Sequence, residues 1–563
     1  MPSENKYTIG IDFGTESVRA VLVNVSTGAL IASSVYQYAH GVISKFLPDS
    51  DIELDPDWAL QHPQDYLTGL KRTIPKIMKE SQVDPDDVIG IGIDFTGSTV
   101  LPTTDDGTPL ALLDEYRTDP HAWPKLWKHH AAQEKANQIT QLASDRFEPF
   151  LDRYGGRINA EWFFPKVWEI YDESSSIYNA ADRIIEAADW IVWQLTGVET
   201  RNLCAAGYKA LWSKQEGFPL ETFFSSMDEG LTNVVDAKMR RDISPLGQQA
   251  GELTEEAAKW MKLKPGTPVA TGILDGHAAV PAATVAEPGK MALILGTSFV
   301  HMLLSKKEFR VPGICGMVED GIIPGLIGYE AGQAGGGDHF SWFIKNAVPY
   351  EYYQEARKRK ISLFRLMEEK AALLAPAESG LVALDWWNGN RSILADGDLN
   401  GLVLGYTLAT KPEEIYRALL EATTFGTRKI FETFIASGVP IDEIIVTGGE
   451  PLKNRLLLNI LANVTRMEIK IADFPYPSAL GASIYAAVAA GENRGGYASV
   501  PEASKKMAHL SKKTIAPNNN DKKTYNRLYS EYTLLHDYFG YGHNNAMKRL
   551  KNARTTILEK KHR

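Results

Sequence analysis

The 563 residues, 44% hydrophobic and 23% charged, exceed what one core usually serves, so a globular protein of two or more domains is expected. A net charge of −10 and a pI near 5.7 exclude nucleic acid and anionic membrane as partners, since both are bound by clustered Lys and Arg, and the basic tail 548–563 reads as a solvated helix end. Two distant cysteines, Cys204 and Cys315, make neither a disulfide framework nor a metal spacing, and with no leader-like start or apolar run of about 18 residues a soluble cytoplasmic protein is expected.

The chain opens with two strands, "YTIGID" and "VRAVLVN", joined by a tight turn at Gly14. After the turn "STG" a third strand, "ALIASSVYQY", completes an antiparallel set. A helix over about 63–79 leads to a buried strand at 88–95 that ends in the polar turn "TGST", an α/β pattern. From about 116 to 260 the chain reads mostly helical, with Trp162, Trp168, Trp190, Trp193 and Trp212 marking packed faces.

The segment 266–280, "GTPVATGILDGHAAV", carries a strand ending near Asp275. Residues 289–305, "GKMALILGTSFVHMLLS", then repeat the opening design: Gly14-Thr15-Glu16-Ser17-Val18 and Gly296-Thr297-Ser298-Phe299-Val300 each sit between two apolar strands. A weak internal duplication accounts for this. An α/β series follows: helix 411–437, strand 441–449, helix 453–463, the strand "RMEIKIA" and the helix "SALGASIYAAVAAG". The expected domains are 1–286 and 287–563, with a loop at 516–523 and a C-terminal helical extension from about 524.

Two Gly-Thr hairpins, one per half, predict a phosphate clamp, because glycine lets backbone N–H groups approach closely while Thr and Ser hydroxyls add donors. Gly14, Thr15, Glu16 and Ser17 are one half of it; Gly296, Thr297 and Ser298 are the other. Asp12, just before the first turn, suits phosphate only with a cation between them, and Mg²⁺, an oxygen-preferring ion that keeps its waters, is that cation. Asp275, delivered by a strand end, is placed to accept the proton of an attacking hydroxyl during phosphoryl transfer; a routine Asp-Gly turn is the alternative. His277 reads as structural. Gly448 and Gly449 make a strand-to-helix turn against which a flat adenine could lie. The three glycines 335–337 precede a helix, whose amino end favours anions. Neither a dinucleotide fingerprint nor a P-loop is present.

These motifs, in this order and over nearly the whole chain, resemble the FGGY carbohydrate kinases of the actin, hexokinase and 70-kDa heat-shock ATPase superfamily. "IDFGTESVRAVLV" and "LILGTS" resemble the two phosphate hairpins, "LDGHAAV" the catalytic-aspartate segment, and "VTGGEP" with "SALGASIYAAV" the adenosine-binding part, which brings in Glu450. "RALLEATTFGTRKIFETF" resembles a family signature, whereas "FFPKVWEI" fits the other only loosely. The resemblance implies two ribonuclease-H-like α/β domains around a central cleft, with ATP and Mg²⁺ as cofactors. The stretches "CAAGYKALW", "YEAGQAGGGDHFSWF" and "DWWNGNRSILAD" point within the family to a ketopentose substrate. By that resemblance Lys209, Asp275 and Glu330 contact the sugar, with Thr96 and Gly97 in the pocket floor. Xylulose, D-ribulose or ribitol is the alternative substrate, and an ATP-gated binding module the alternative class. The expected partners are a small sugar and, at most, a second copy in a homodimer.

Overall fold

The computed structural model describes residues 5–449 and 453–562. The first large sheet holds β1 (Tyr7–Phe13), β2 (Ser17–Asn24), β3 (Leu30–Gln37), β4 (Val88–Phe95), β5 (Gln249–Glu252), β6 (Pro268–Ala270) and β7 (Ile273–Leu274). Its order is β3-β2-β1-β4-β6-β5, with β7 also beside β4. The second sheet holds β8 (Gly289–Leu295), β9 (Phe299–Ser305), β10 (Gly316–Glu319), β11 (Ile327–Gln333), β12 (Ile441–Gly448) and β13 (Ile469–Ile471), in the order β10-β11-β9-β8-β12-β13. The duplication is visible in topology: β1/β2 and β8/β9 are antiparallel hairpins, and β1/β4 and β8/β12 are the parallel pairs beside them.

Burial explains the strand composition. Every residue of β4 is buried, as expected of a parallel strand covered on both faces. The main helices are α1 (Pro63–Ser81), α2 (Leu203–Lys209), α3 (Asp275–Ala282), α4 (Gly337–Asn346), α5 (Pro412–Ala436), α6 (Arg455–Thr465), α7 (Pro477–Ala490), α8 (Lys522–Gly540) and α9 (Ala546–His562). The segment between 116 and 260 is less regular than its sequence suggests: short helices alternate with loops, and strands form at 183–186 and 249–252.

Although α7 comes from the second half, it lies on the first sheet. A Cβ at Gly10 would stand 1.8 Å from the Ala479 carbonyl oxygen, one at Gly92 1.9 Å from that of Ala482, and one at Gly90 2.6 Å from that of Ala486. Strand glycines here permit close approach of a helix backbone. This order of contacts runs α7 antiparallel to β4, so its amino end lies towards Asp12 and Asp94. On its other side α7 meets α3, where a Cβ at Gly481 would be 1.8 Å from the Ala278 carbonyl oxygen. Val21, Ala278, Ala292, Ile445 and Ala479 thus share one core between the sheets.

The C-terminal extension is built into the second core: Tyr525, Leu528, Tyr529 and Tyr532 of α8 are buried there. Asp385 accepts hydrogen bonds from Tyr532 Oη at 2.9 Å and Gln333 Nε2 at 2.7 Å, tying α8 to β11. Among the described residues no helix is long and apolar enough to cross a membrane.

Candidate active site

Asp12 and Asp94 are the penultimate residues of β1 and β4, and Asp275 begins α3 directly after β7. All three come from carboxyl ends of parallel strands, where ligands of open α/β sheets bind. Asp12 and Asp94 are register partners in the β1/β4 ladder. Asp12 Oδ2 accepts from Arg19 Nη1 at 2.8 Å, and Arg19 also lies over the Tyr476 ring, 4.8 Å from its centroid. Arg19 is thus paired with an acid of the cleft.

Asp275 Oδ1 accepts from the Gly276 N–H at 2.7 Å. Burial, and then the nearby Asp12 carboxylate, push the Asp275 carboxyl up to about 7. A carboxyl held there can serve as a proton acceptor near neutral pH. The bland alternative for this Asp-Gly was a turn; it is instead the first turn of a helix.

Around Asp275 the structure gathers the residues of the expected sugar pocket. Lys209, the last residue of α2, places Nζ 3.0 Å from Glu330 Oε2 and 3.4 Å from Oε1. His277 Nε2 is 3.4 Å from the same carboxylate, and its ring packs on Tyr208. Burial alone would raise the Glu330 carboxyl, but Lys209 and His277 hold it well below the usual range. Conversely, Glu330 holds the Lys209 ammonium above its ordinary value despite burial. A Cβ at Gly97 would lie 3.5 Å from Lys209 Cε and from Leu274, so Gly97 is packed where the resemblance puts it. The Thr96 hydroxyl is engaged locally by Thr99 Oγ1 at 2.9 Å.

The first hairpin is braced from outside. Gln61 Nε2 donates to the Thr15 carbonyl at 2.8 Å, Trp127 Nε1 donates to Thr15 Oγ1 at 3.0 Å, and the Tyr38 N–H reaches the Glu16 carbonyl at 3.0 Å. Within the turn the Gly14 N–H donates to the Ser17 carbonyl at 2.9 Å. The second hairpin is braced by the glycine run: N–H groups of Gly336, Gly337 and Asp338 donate to the Thr297, Gly296 and Thr297 carbonyls at 2.8, 2.9 and 3.2 Å. The amino end of α4 therefore holds the hairpin, and these N–H groups are spent on protein carbonyls, not available to an anion.

Gly448 adopts φ +107°, and a Cβ there would stand 2.3 Å from the Leu295 carbonyl oxygen; its glycine is explained by backbone alone. At Gly449 a Cβ would meet nothing within 4 Å, which leaves its surface open. Glu450 lies outside the described residues.

Sequence reasoning missed Asp94 and the Glu161–Arg391 pair, and it read His277 as structural without its partner. Asp94 was legible in principle, because the pentapeptide "IGIDF" occurs at both 9–13 and 91–95. His277 stood two residues from Asp275, but its partner Glu330 is set by tertiary folding. Glu161 and Arg391 pair at 2.9 Å across 230 residues, linking the two halves beside the sugar end, and no local signal announces that. Among the described residues no three His, Cys, Asp or Glu side chains gather closely enough to cage a metal. A cavity of about 610 Å³, lined by Lys6, Lys264 and Arg494 among others, lies at the opposite, amino ends of β1 and β4. Its cations are paired with Asp87, Asp86 and Glu252, so it presents no unmatched positive charge.

Comparison with known proteins gives the same architecture. Curated proteins named ribulokinase are similar along almost the entire chain: 54% identical over 97% of both chains in Halalkalibacterium halodurans, and 52% over 98% of both in Anoxybacillus flavithermus. Among solved structures, a xylulose kinase from Rhodospirillum rubrum superposes with a TM-score of 0.76 at 20% identity, covering 96% of this chain and 100% of that one. A Plasmodium falciparum glycerol kinase with ADP gives 0.72 at 16%, covering 94% and 98%. Residues 7–281 match the N-terminal domain, and residues 291–490 the C-terminal domain, of the FGGY family of carbohydrate kinases, the family to which this chain belongs.

Proposed function

We propose that the protein transfers the γ-phosphoryl group of ATP to the 5-hydroxyl of a ketopentose, with L-ribulose as its substrate. The observation that carries this reading is the placement of Asp275, with its raised carboxyl, beside the Lys209–Glu330 pair. The full-length relatives named ribulokinase support L-ribulose over xylulose, D-ribulose or ribitol. The Asp275 site and the sugar-kinase relatives also favour an enzyme over an ATP-gated binding module.

In this reading Lys209 donates to, and Glu330 accepts from, hydroxyls of the sugar over a floor containing Thr96 and Gly97. A site that hydrogen-bonds hydroxyls discriminates against substrates lacking them far better than apolar contact does. Asp275 takes the proton of the 5-hydroxyl as its oxygen bonds to the γ-phosphorus; the bond from that phosphorus to the β,γ-bridging oxygen breaks, and ADP leaves. Gly14–Ser17 and Gly296–Ser298 hold the phosphates. Neither Gly14 nor Gly296 has a positive φ; a Cβ at Gly14 would stand 3.3 Å from the Ser17 carbonyl oxygen, whereas one at Gly296 would meet nothing nearer than 3.6 Å, so at Gly296 backbone geometry does not demand glycine and room for a ligand supports the reading. Adenine would lie against Gly449.

Asp12 fits Mg²⁺: it is a partly accessible carboxylate at a strand end, and Mg²⁺ is commonly held by one or two carboxylates together with phosphate oxygens. When bound, the ion offsets phosphate charge. We also propose a domain division near residue 286, with α7 reaching across it, and a cytoplasmic location consistent with two buried free cysteines. The test is ADP release from ATP and Mg²⁺ with L-ribulose, D-ribulose, both xyluloses, ribitol and glycerol. L-ribulose should give the highest kcat/KM; ATP hydrolysis indifferent to all six sugars would refute the kinase reading.

A further inference from the structure

Asp94 is unlike the other buried acids of this protein. Glu169 has Lys125 and His129, Glu330 has Lys209, and Glu421 has Arg417. Asp94 is 0% exposed, yet no N–H or O–H donor among the described residues reaches either of its carboxylate oxygens. Its polar neighbour is another acid, Asp12, whose carboxyl it meets at hydrogen-bonding range, so without a cation between them the two carboxyls share a proton; Asp275 is close enough to act on it electrostatically. Leaving a buried carboxylate without donors is costly, and such groups call for an explanation.

Its position offers one. Parallel neighbours in register point their side chains to the same face, and Asp12 and Asp94 are such neighbours. That face is also the one Gly10 and Gly92 present to α7, so both carboxylates lie at the amino end of α7, on the side where β7 delivers Asp275. Arg19, the nearby cation, is committed to Asp12 through Nη1. The same pentapeptide thus sets two hard oxygen donors side by side, Asp12 partly accessible and Asp94 buried beside it.

We infer that Asp94 is a second carboxylate of the divalent-cation site, holding with Asp12 the hydrated metal that accompanies the nucleotide. This rests on the reading of Asp12 as the metal-facing residue. It does not require a protein-only cage, since phosphate oxygens and waters complete the shell of such ions.

The test is Mn²⁺ binding in the presence of ADP, followed by the electron paramagnetic resonance of free Mn²⁺, in the full-length protein and its Asp94→Asn and Asp12→Asn variants. Asparagine keeps the shape of Asp94 and can donate to Asp12, so a merely structural residue leaves Mn²⁺ affinity intact. The expected result is a loss of about tenfold or more in Asp94→Asn, with a melting temperature without ligand no lower than that of the parent. A loss below threefold overturns the inference, as does failure of this isosteric variant to fold by circular dichroism; Asp94→Ser, which removes the carboxylate altogether, must show at least the same loss. Weakening in Asp12→Asn but not in Asp94→Asn refutes only this inference. Unchanged binding in both variants refutes the Asp12 assignment beneath it.

Discussion

Replacing Glu330 by Gln removes one charge from a buried pair while keeping its shape. Lys209 Nζ, 3.0 Å from Glu330 Oε2, is then left as an uncompensated buried ammonium. Removing one partner of such a pair costs about 3–5 kcal/mol of stability. The sugar loses a charged acceptor as well, and hydrogen bonds to charged groups contribute about 1.5–3 kcal/mol, or about 10- to 150-fold in affinity. The sign of the pH dependence follows from the two shifts. Glu330 is held low, so its contribution is complete above its unfolded value of about 4.3 and is lost as pH falls through the folded one. Lys209 is held high, so its contribution is complete below about 10.4 and is lost only as pH rises through its folded value. The contribution of the pair to the parent's stability is therefore flat across neutral pH. Chemical denaturation measures the stability lost in Glu330→Gln, and calorimetry measures the sugar and ADP affinities. The expected result is weakened L-ribulose binding with ADP affinity preserved. A folded variant that binds L-ribulose as the parent does would refute the sugar-contact role and leave the pair purely structural.

Three further substitutions separate nucleotide contacts from backbone demands. Gly448→Ala forces a Cβ towards the Leu295 carbonyl at a positive φ and should cost about 1–3 kcal/mol or more, read by denaturation; Gly449→Ala should leave stability unchanged and raise the KM for ATP. Gly337→Ala, whose Cβ would fall 2.8 Å from the Gly296 carbonyl oxygen, should displace the second hairpin and weaken ATP binding with sugar affinity intact, measured by calorimetry with each ligand.

The architecture was legible where local pattern and burial coincide. β4 at 88–95 matches its expected span, and the helix expected over 63–79 extends to 81, because apolar periodicity and turn residues mark those ends. The paired Gly-Thr hairpins were legible for the same reason, since each is a contiguous turn between apolar strands. What escaped is non-local. The segment "IGIGIDF" read simply as a buried strand, and nothing local shows that its glycines admit α7, more than 380 residues away. The glycine run 335–337 looked like an anion site, but its N–H groups hold the second phosphate hairpin. Asp94 escaped because the recurrence of "IGIDF" does not by itself say that the two copies pair; the β1/β4 ladder sets Asp94 beside Asp12.

The central claim, that Asp275 accepts the sugar proton, is tested most directly by the kcat of Asp275→Asn over pH 5.5–8.5, with L-ribulose and ATP binding measured alongside. The folded protein holds the Asp275 proton to about 7, whereas the unfolded chain releases it near 3.9, so this residue costs stability as pH rises between those values. The asparagine variant should therefore fold at least as stably at pH 8. The account predicts that it binds both substrates, loses about 10²–10⁴-fold in kcat, and lacks the rise in kcat/KM through pH 7 expected of the parent. A variant that turns over at nearly the parental rate with the same pH profile would contradict it.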